Sequence, residues 1–325
     1  MIVLLYYHYI PITNPEKLQE KHWEFIQTLD SSHEPIPEKN THTSIESLRG
    51  ITSPLKGRII VASEGINGTI SGNQQDCNAY KKFLEHELKL EPGTINFKDD
   101  TCQQHVFPKL TVKVKKEIIR MGVKANPLEI TGKHLKPDEW HKEIQNPNNV
   151  ILDMRSNYEH KLGHFKDAVC FDINNMYEFP EVFKTHPLFK GEEAKKKNYL
   201  MYCTGGIKCE KASNFMMKRG FKNVSQLHGG IIMYGKEQGG ENFNGQCYVF
   251  DGRTATNVNT VNPEIVSKCF GCNEKTDTMV NCMNTKCNRH TTMCHKCYML
   301  YNSCCSLECS KSPNKREVYV DYFAN

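Results

Sequence analysis

A short cysteine-containing loop is the part of the chain whose residue types and spacing most directly indicate chemistry. Residues 203–213 read CTGGIKCEKAS and place Cys203 between an apolar run and a stretch with helical character. Loop amides and the positive end of a helix stabilise an anion, which favours a reactive thiolate or persulfide here. Gly205 and Gly206 allow the backbone to curl around the sulfur, and Lys208 adds positive charge. The alternative is a packed structural thiol, because free cysteine is often buried.

Three further residues are candidates for supporting this site. Asp153 and Arg155 follow an apolar run, and we favour a salt bridge that organises the domain over a direct role in chemistry. Cys209 could resolve an oxidised Cys203, but a small residue near the start of a helix more often packs against its neighbours.

The C-terminal part of the chain carries a second constellation, of metal-ligand type. Nine of the fifteen cysteines lie between Cys269 and Cys309. Eight of them form four pairs: Cys269 with Cys272, Cys282 with Cys287, Cys294 with Cys297, and Cys305 with Cys309. Two CxxC pairs at this spacing predict two tetrahedral zinc sites, and a disulfide cluster is the alternative. We favour crossed pairing, first with third and second with fourth, over sequential pairing; Cys304, His290 and His295 are alternative ligands.

The elements that must position these residues divide the chain into three predicted domains, 1–120, 121–240 and 241–325. The first reads as strand, helix, strand, strand, helix, strand, which predicts a ferredoxin-like α+β domain. Its helices are expected at 15–29 and 74–88, and its middle strands are expected to turn at Asn67-Gly68. The second alternates strands and helices, which favours an α/β domain with a parallel sheet. The third is the small Cys-rich zinc module.

Charge and hydropathy limit the partners and the location. The net charge of +5 permits a polyanionic partner through local patches. A basic face on the strand near residue 112 is our candidate for RNA contact, with a solvated surface as the alternative; it comprises Lys109, Lys113, Lys115, Lys116 and Arg120. The apolar run at 1–10 is too short to cross a bilayer and lacks the features of a signal peptide, so we expect a cytoplasmic protein without a membrane partner.

Several long motifs resemble one family. Residues 152–169 (LDMRSNYEHKLGHFKDAV), 201–213 and 220–234 (GFKNVSQLHGGIIMY) resemble a rhodanese homology domain. Together with residues 57–72, 107–122 and 245–253 (GQCYVFDGR), they make the chain similar over nearly its whole length to the rhodanese-domain tRNA uridine hydroxylases.

That resemblance implies an oxygen-dependent hydroxylation of the wobble uridine of tRNA at base carbon 5. It also implies that tRNA is the partner, that molecular oxygen is the co-substrate and that Cys203 is the catalytic cysteine, described in such domains as a persulfide intermediate. The family loop usually carries arginine where this chain has Lys208, which keeps the charge but loses the planar fork. No haem, flavin or non-haem iron signature is visible, so the sequence does not identify a redox cofactor.

Two other function classes fit the same residues. A sulfurtransferase would pass sulfane sulfur to an acceptor through a Cys203 persulfide. A cysteine-based phosphatase is not expected, because its phosphate-binding loop is longer than the loop after Cys203. A non-enzymatic zinc and RNA-binding module would tolerate the loss of the Cys203 thiol.

Overall fold

The apolar runs of the sequence form two principal sheets, each in its own unit. The computed structural model describes residues 1–29, 53–316 and 322, and the chain divides into the units Met1–Arg120 and Met121–Asn325. The first unit contains β1 (Ile2–Tyr9), α1 (Pro15–Leu29), β2 (Lys56–Ala62), β3 (Gly65–Gly72), α2 (Gln74–Glu87), β4 (Lys98–Thr101) and β5 (Leu110–Val114).

The sheet of the first unit has the strand order β4-β1-β3-β2-β5. Its first four strands have the predicted ferredoxin-like arrangement, and the apolar face buries Leu18, Trp23 and Ile26 of α1. The fourth strand is not the one expected. The polar segment Lys98–Thr101 takes that place beside β1, and the predicted last strand, β5, is an additional edge strand that runs parallel to β2.

The predicted turn at Asn67-Gly68 is wrong. Strand β2 ends at Ala62 and β3 begins at Gly65, so the chain reverses at Ser63-Glu64 and both predicted turn residues lie inside β3. Gly68 pairs with Tyr6 across the sheet, and a Cβ at this position would collide with the Tyr6 ring. Gly68 therefore leaves room for the Tyr6 side chain, which approaches its backbone closely. The turn is formed by the two residues between the strands.

The second unit begins with an α/β part followed by the Cys-rich part. The α/β part contains β6 (Lys133–Leu135), α3 (Pro137–Glu143), β7 (Asn149–Asp153), α4 (Asn157–Leu162), β8 (Gly163–Phe165), β9 (Val169–Cys170), α5 (Phe179–Thr185), α6 (Gly191–Lys196), β10 (Asn198–Tyr202), α7 (Ile207–Met217), β11 (Val224–Leu227), α8 (Gly230–Gln238) and β12 (Phe243–Gly245). The Cys-rich part and the segment that precedes it contain β13 (Cys247–Tyr248), β14 (Ala255–Thr256), β15 (Met279–Asn281), β16 (His290–Thr292), α9 (His295–Leu300) and α10 (Leu307–Ser310).

A parallel sheet of order β6-β11-β10-β7-β9 forms the centre of the α/β part, as predicted. Strands β7 and β10 are neighbours, with Asp153 opposite Tyr202. Because the carboxyl ends of parallel strands meet at one edge, the residues that follow β7 and β10 are brought together there. After β11 the chain forms helix α8, which begins at Gly230.

The Cys-rich part has little regular structure. Two short hydrogen-bonded strands, β15 and β16, and the helices α9 and α10 surround a buried cluster made largely of cysteine side chains. Within the ranges that the structure describes, no helix has the length and apolar character needed to cross a membrane.

Candidate active site

The Cys203 loop connects the end of β10 to the start of α7. Cys203 is 1% exposed, and the Gly206 amide donates a hydrogen bond to its sulfur at 3.2 Å. Gly206 is the N-cap of α7 and has a φ of 102°, a left-handed conformation that favours glycine. The sulfur therefore lies at the N-terminus of an 11-residue helix, where backbone N–H groups stabilise negative charge.

The surroundings of Cys203 favour the thiolate. Burial alone would raise its pKa. A hydrogen bond from the Cys209 thiol, the charge of Lys208 and the backbone N–H groups of Lys208 and Gly206 outweigh that effect, and the pKa falls to about 6. Cys209 is itself fully buried, and burial together with the neighbouring Cys203 holds its pKa well above the usual value. Cys209 is therefore packed, as expected, and also serves as a proton-bearing partner of the thiolate.

Lys208, predicted to support an anion, forms a partly buried ion pair. Its Nζ lies 2.8 Å from Glu159 Oε2, and the Glu159 side chain has no exposed surface. The Ser156 amide donates to the same carboxylate at 3.0 Å, and Thr204 Oγ1 donates to its other oxygen at 3.4 Å. Glu159 thus links the first turn of α4 to the loop, and Lys208 acts on Cys203 as a fixed charge.

Asp153 and Arg155 form the organising ion pair that the sequence favoured. Arg155 Nε and Nη2 donate to the two oxygens of Asp153 at 2.9 and 2.7 Å, and both side chains are fully buried. Asp153 also accepts from the Tyr202 hydroxyl at 2.7 Å and from His160 Nδ1 at 2.9 Å. Since Tyr202 immediately precedes Cys203, this network fixes the end of β10 and hence the origin of the loop.

The back of the loop rests on the first turn of α8. The amides of Ile231 and Ile232 donate to the carbonyls of Cys203 and Thr204 at 3.1 and 3.2 Å. A Cβ on Gly230, whose φ is +67°, would lie 2.5 Å from the Thr204 oxygen and 2.6 Å from the Cys203 oxygen. Sequence reasoning missed this support, although the Gly-Gly pair before an apolar stretch with helical potential was a usable signal.

A tight loop between β13 and β14 lies beside Lys208, and sequence reasoning missed it as well. Phe250 is 54% exposed, whereas the preceding Tyr248 and Val249 are buried. The Lys208 Nζ lies over the Phe250 ring at 5.4 Å from its centroid, and the Tyr248 ring meets Phe250 edge-on at 5.0 Å. The aromatic residues of the motif at 245–253 were the available signal.

The eight paired cysteines are gathered into two groups in crossed order. One group contains Cys269, Cys272, Cys294 and Cys297, and the other contains Cys282, Cys287, Cys305 and Cys309. The sulfur atoms of each group lie within 4.8 Å of one another.

These distances fit zinc. The Sγ–Sγ separations are 3.7 Å between Cys272 and Cys294 and 3.7 Å between Cys287 and Cys305. A tetrahedral zinc ion with Zn–S bonds of about 2.3 Å separates its sulfurs by roughly 3.8 Å. Cys304 is buried in the surrounding cluster outside both groups, and His290 hydrogen-bonds the Tyr248 hydroxyl instead.

The basic residues predicted to contact RNA lie in the first unit, along and after the edge strand β5. All five are exposed: Lys109, Lys113, Lys115, Lys116 and Arg120. A groove lined by Gln19 and Trp23 of α1 and by residues 109–115 runs beside them. Lys98, which is near them in sequence, is buried under the ring of Tyr7 and does not extend this surface.

Comparison with known families divides the chain into three matched segments. The UPF0176 acylphosphatase like domain matches residues 38–118, the Rhodanese-like domain matches residues 136–236, and the Rhodanase C-terminal family matches residues 244–310. Among solved structures, a rhodanese-related protein from Thermoplasma volcanium is 18% identical with a TM-score of 0.26, and the match covers 32% of this chain and 92% of that one.

Two curated relatives match over nearly the whole length. The tRNA uridine(34) hydroxylase of Cytophaga hutchinsonii is 44% identical over 97% of this chain and 91% of its own length. The tRNA uridine(34) hydroxylase of Chlamydia trachomatis serovar D is 36% identical over 96% of this chain and 88% of its own length.

Proposed function

The chain belongs to the tRNA uridine(34) hydroxylase family, and from this membership we propose that it hydroxylates uridine 34 of tRNA, with Cys203 as the catalytic nucleophile. The position of the new hydroxyl group is base carbon 5, which is the site that the family resemblance implies. The enzyme is accordingly an oxidoreductase whose macromolecular partner is tRNA.

The observation that carries the proposal is the position of the Cys203 sulfur, which accepts a hydrogen bond from the Gly206 amide at the start of α7 in an anion-stabilising loop. Its pKa of about 6 makes the sulfur largely ionised at neutral pH, and the thiolate is the nucleophilic form of cysteine. A sulfur nucleophile suits a pyrimidine, because addition to C6 of uracil moves electron density towards C5. The Cys209 thiol and the Gly206 amide hold the thiolate before addition and accept it again on elimination.

Molecular oxygen is the proposed co-substrate. One oxygen atom is inserted into the C5–H bond to give the hydroxyl group, and the other is released as water after taking up two protons and two electrons from an external two-electron reductant. The chain's own contribution is to hold the sulfur, its buried charge partners and the base in one place. The Lys208–Glu159 ion pair keeps a positive charge at a fixed position beside the sulfur. Because both charges are already paired, they need not be solvated again during the reaction.

The partner contacts and the metal sites complete the proposal. The exposed basic residues along and after β5 contact tRNA phosphates, and each cysteine group holds one structural zinc ion. Since tRNA is the substrate, the protein works in the compartment that contains tRNA, which is the cytoplasm.

The test is nucleoside mass spectrometry of tRNA from a deletion strain complemented with variants. The wild-type gene is expected to restore 5-hydroxyuridine, and Cys203→Ser is expected to abolish it, because serine keeps the size and loses the nucleophile. Cys102→Ser, which removes a thiol from the first unit, is the matched control and should restore the modification.

Two outcomes would contradict the proposal. Full modification by Cys203→Ser would make the thiol structural. Absence of modification by the wild type, together with sulfur transfer from thiosulfate to cyanide through Cys203, would replace the hydroxylase with a sulfurtransferase.

A further inference from the structure

The loop that carries Phe250 is held by hydrogen bonds at its base and within itself. The Val249 amide donates to the Thr254 carbonyl at 3.1 Å, and the Thr254 amide donates to the Asp251 carbonyl at 3.0 Å. The Asp251 carboxylate accepts from the Arg253 amide at 3.0 Å and from Arg253 Nη2 at 2.8 Å. The loop therefore presents its aromatic ring in a fixed position.

A fixed ring that is half exposed differs from an ordinary surface phenylalanine. Single exposed apolar side chains are common and need no explanation. Here the Tyr248 ring braces Phe250 from one edge at an interplanar angle of 82°, yet 54% of the residue stays open to solvent. The arrangement keeps an aromatic surface available and restricts its motion, which lowers the entropy lost when a ligand binds.

Phe250 is connected to the thiolate through a single side chain. The Lys208 ammonium lies over the Phe250 ring, pairs with Glu159 at 2.8 Å and lowers the pKa of Cys203 by its charge. The Tyr248 backbone also lies next to the loop, because Thr204 Oγ1 shares its hydrogen between Glu159 Oε1 and the Tyr248 carbonyl, each at 3.4 Å. The ring is thus part of the surroundings of the loop, and 54% of the residue remains open to a ligand.

We propose that the target pyrimidine base, once unstacked from the anticodon loop, stacks on the exposed face of Phe250 and is thereby positioned at the Cys203 loop. Proteins that act on a base take it out of its stack, and single-stranded RNA bases are commonly held on aromatic side chains. This inference rests on the proposed function, and it assigns to Phe250 the binding of the base that the reaction modifies. Stacking on the ring would fix the plane of the base beside the loop.

A tryptophan reporter tests stacking without depending on activity. The two native tryptophans, Trp23 and Trp140, are buried, so Phe250→Trp adds an exposed fluorophore at the proposed platform. An anticodon stem-loop RNA with uridine at position 34 should quench the new fluorescence, and the same RNA with an abasic site there should quench it much less. Phe270→Trp, at a residue that is 49% exposed in the Cys-rich part, is the matched control and should respond equally to both RNAs.

Kinetics supply the second measurement. Phe250→Ala should raise KM for the stem-loop about tenfold, the size expected for one lost stacking contact, with a smaller effect on kcat. Phe250→Tyr should restore KM, and Phe270→Ala should leave it unchanged. Since Phe250 is exposed, the thermal midpoint should stay at the wild-type value.

The outcomes separate this inference from the proposed function. Equal quenching of Phe250→Trp by the uridine and abasic RNAs, with both RNAs bound, would overturn the stacking proposal. An unchanged KM in Phe250→Ala, in an enzyme that hydroxylates normally, would overturn it as well. Base-dependent quenching in a protein that forms no 5-hydroxyuridine would support the platform and contradict the hydroxylase.

Discussion

At the scale of single residues, Cys203 differs from other buried thiols of the chain by its partners. Burial raises the pKa of Cys77 to about 12 and that of Cys247 to about 12. Burial also acts to raise the pKa of Cys203. The Cys209 thiol, the Lys208 charge and two backbone amides outweigh burial and lower the pKa to about 6. Reactivity therefore follows from donors aimed at the sulfur, and burial alone would suppress it.

The first prediction concerns the titration of this thiol. The difference in thiolate ultraviolet absorbance between the wild type and Cys203→Ser should rise with a midpoint at a pH of about 6. Cys209→Ala should move the midpoint to higher pH because the thiolate loses a hydrogen-bond donor, and Cys209→Ser should move it less because a hydroxyl also donates. The acidic limb of the activity profile should shift in the same direction.

The same shift has a consequence for stability. Because the folded pKa of Cys203 lies below its ordinary value of 9.0, the thiolate stabilises the native state fully above that value. This stabilisation is lost as the pH falls through about 6, so the stability of the wild type relative to Cys203→Ser should rise with pH between these limits. A wild-type midpoint near 9.0, unmoved in Cys209→Ala, would contradict both statements.

Residues near Cys203 in sequence could be predicted together with their roles, whereas distant residues could be named as candidates but their partners could not. Gly206, Lys208 and Cys209 belong to one short motif, so local geometry was enough to select them. Glu159 is 49 positions from Lys208, and its pairing depends on the packing of α4 against the loop. Phe250 likewise reaches Lys208 from a separate hairpin, and no sequence pattern indicated that these two residues are neighbours.

At the scale of elements, strong periodicity predicted well and short polar segments did not. Helix α1 has the expected bounds, Pro15–Leu29, because its apolar residues recur on one face. Strand β4 was missed because its sequence, KDDT, carries no strand pattern, and its backbone pairing with β1 alone defines it. The turn at Ser63-Glu64 was missed because the more typical turn dipeptide lies inside a neighbouring strand.

The second prediction concerns the exposed lysines in and directly after β5. Lys113→Glu combined with Lys115→Glu should weaken tRNA binding and flatten its dependence on salt, since each lost phosphate contact removes about one unit of slope. Lys195→Glu with Lys196→Glu, on α6, introduces the same change of net charge as a control and should have a smaller effect. Equal losses in both double variants would reduce the role of β5 to its contribution to the overall charge.

At the scale of the whole molecule, the Cys-rich part belongs to the same unit as the catalytic loop. His290 of β16 stacks on Tyr158 of α4 with ring centroids 5.0 Å apart, and its Nδ1 lies 3.3 Å from the Tyr248 hydroxyl. Gln246 donates to Asp277 at 3.0 Å. The Cys-rich part thus braces both α4, which supplies Glu159, and the hairpin that presents Phe250.

The third prediction follows from this bracing. Purified protein should contain two zinc ions per chain, one for each group of four thiols. Chelation should melt the Cys-rich part and also increase amide hydrogen exchange in residues 247–256 and in α4, with a loss of hydroxylation. Exchange in β1 and β3, in the first unit, serves as the internal reference. Unchanged exchange in α4 and in the hairpin after removal of the metal would show that the two parts are independent.

The crossed order of the cysteine groups has a consequence for how the chain acquires its metal. Cys282 and Cys287 lie between the two halves of the first site, and Cys294 and Cys297 lie between the two halves of the second. The first ion captured must restrain a long, freely moving segment, whereas the second finds its ligands already drawn together. Uptake should therefore be cooperative, and a cell short of zinc would contain empty and fully loaded molecules rather than singly loaded ones. The amount of working enzyme would respond to zinc supply as a threshold.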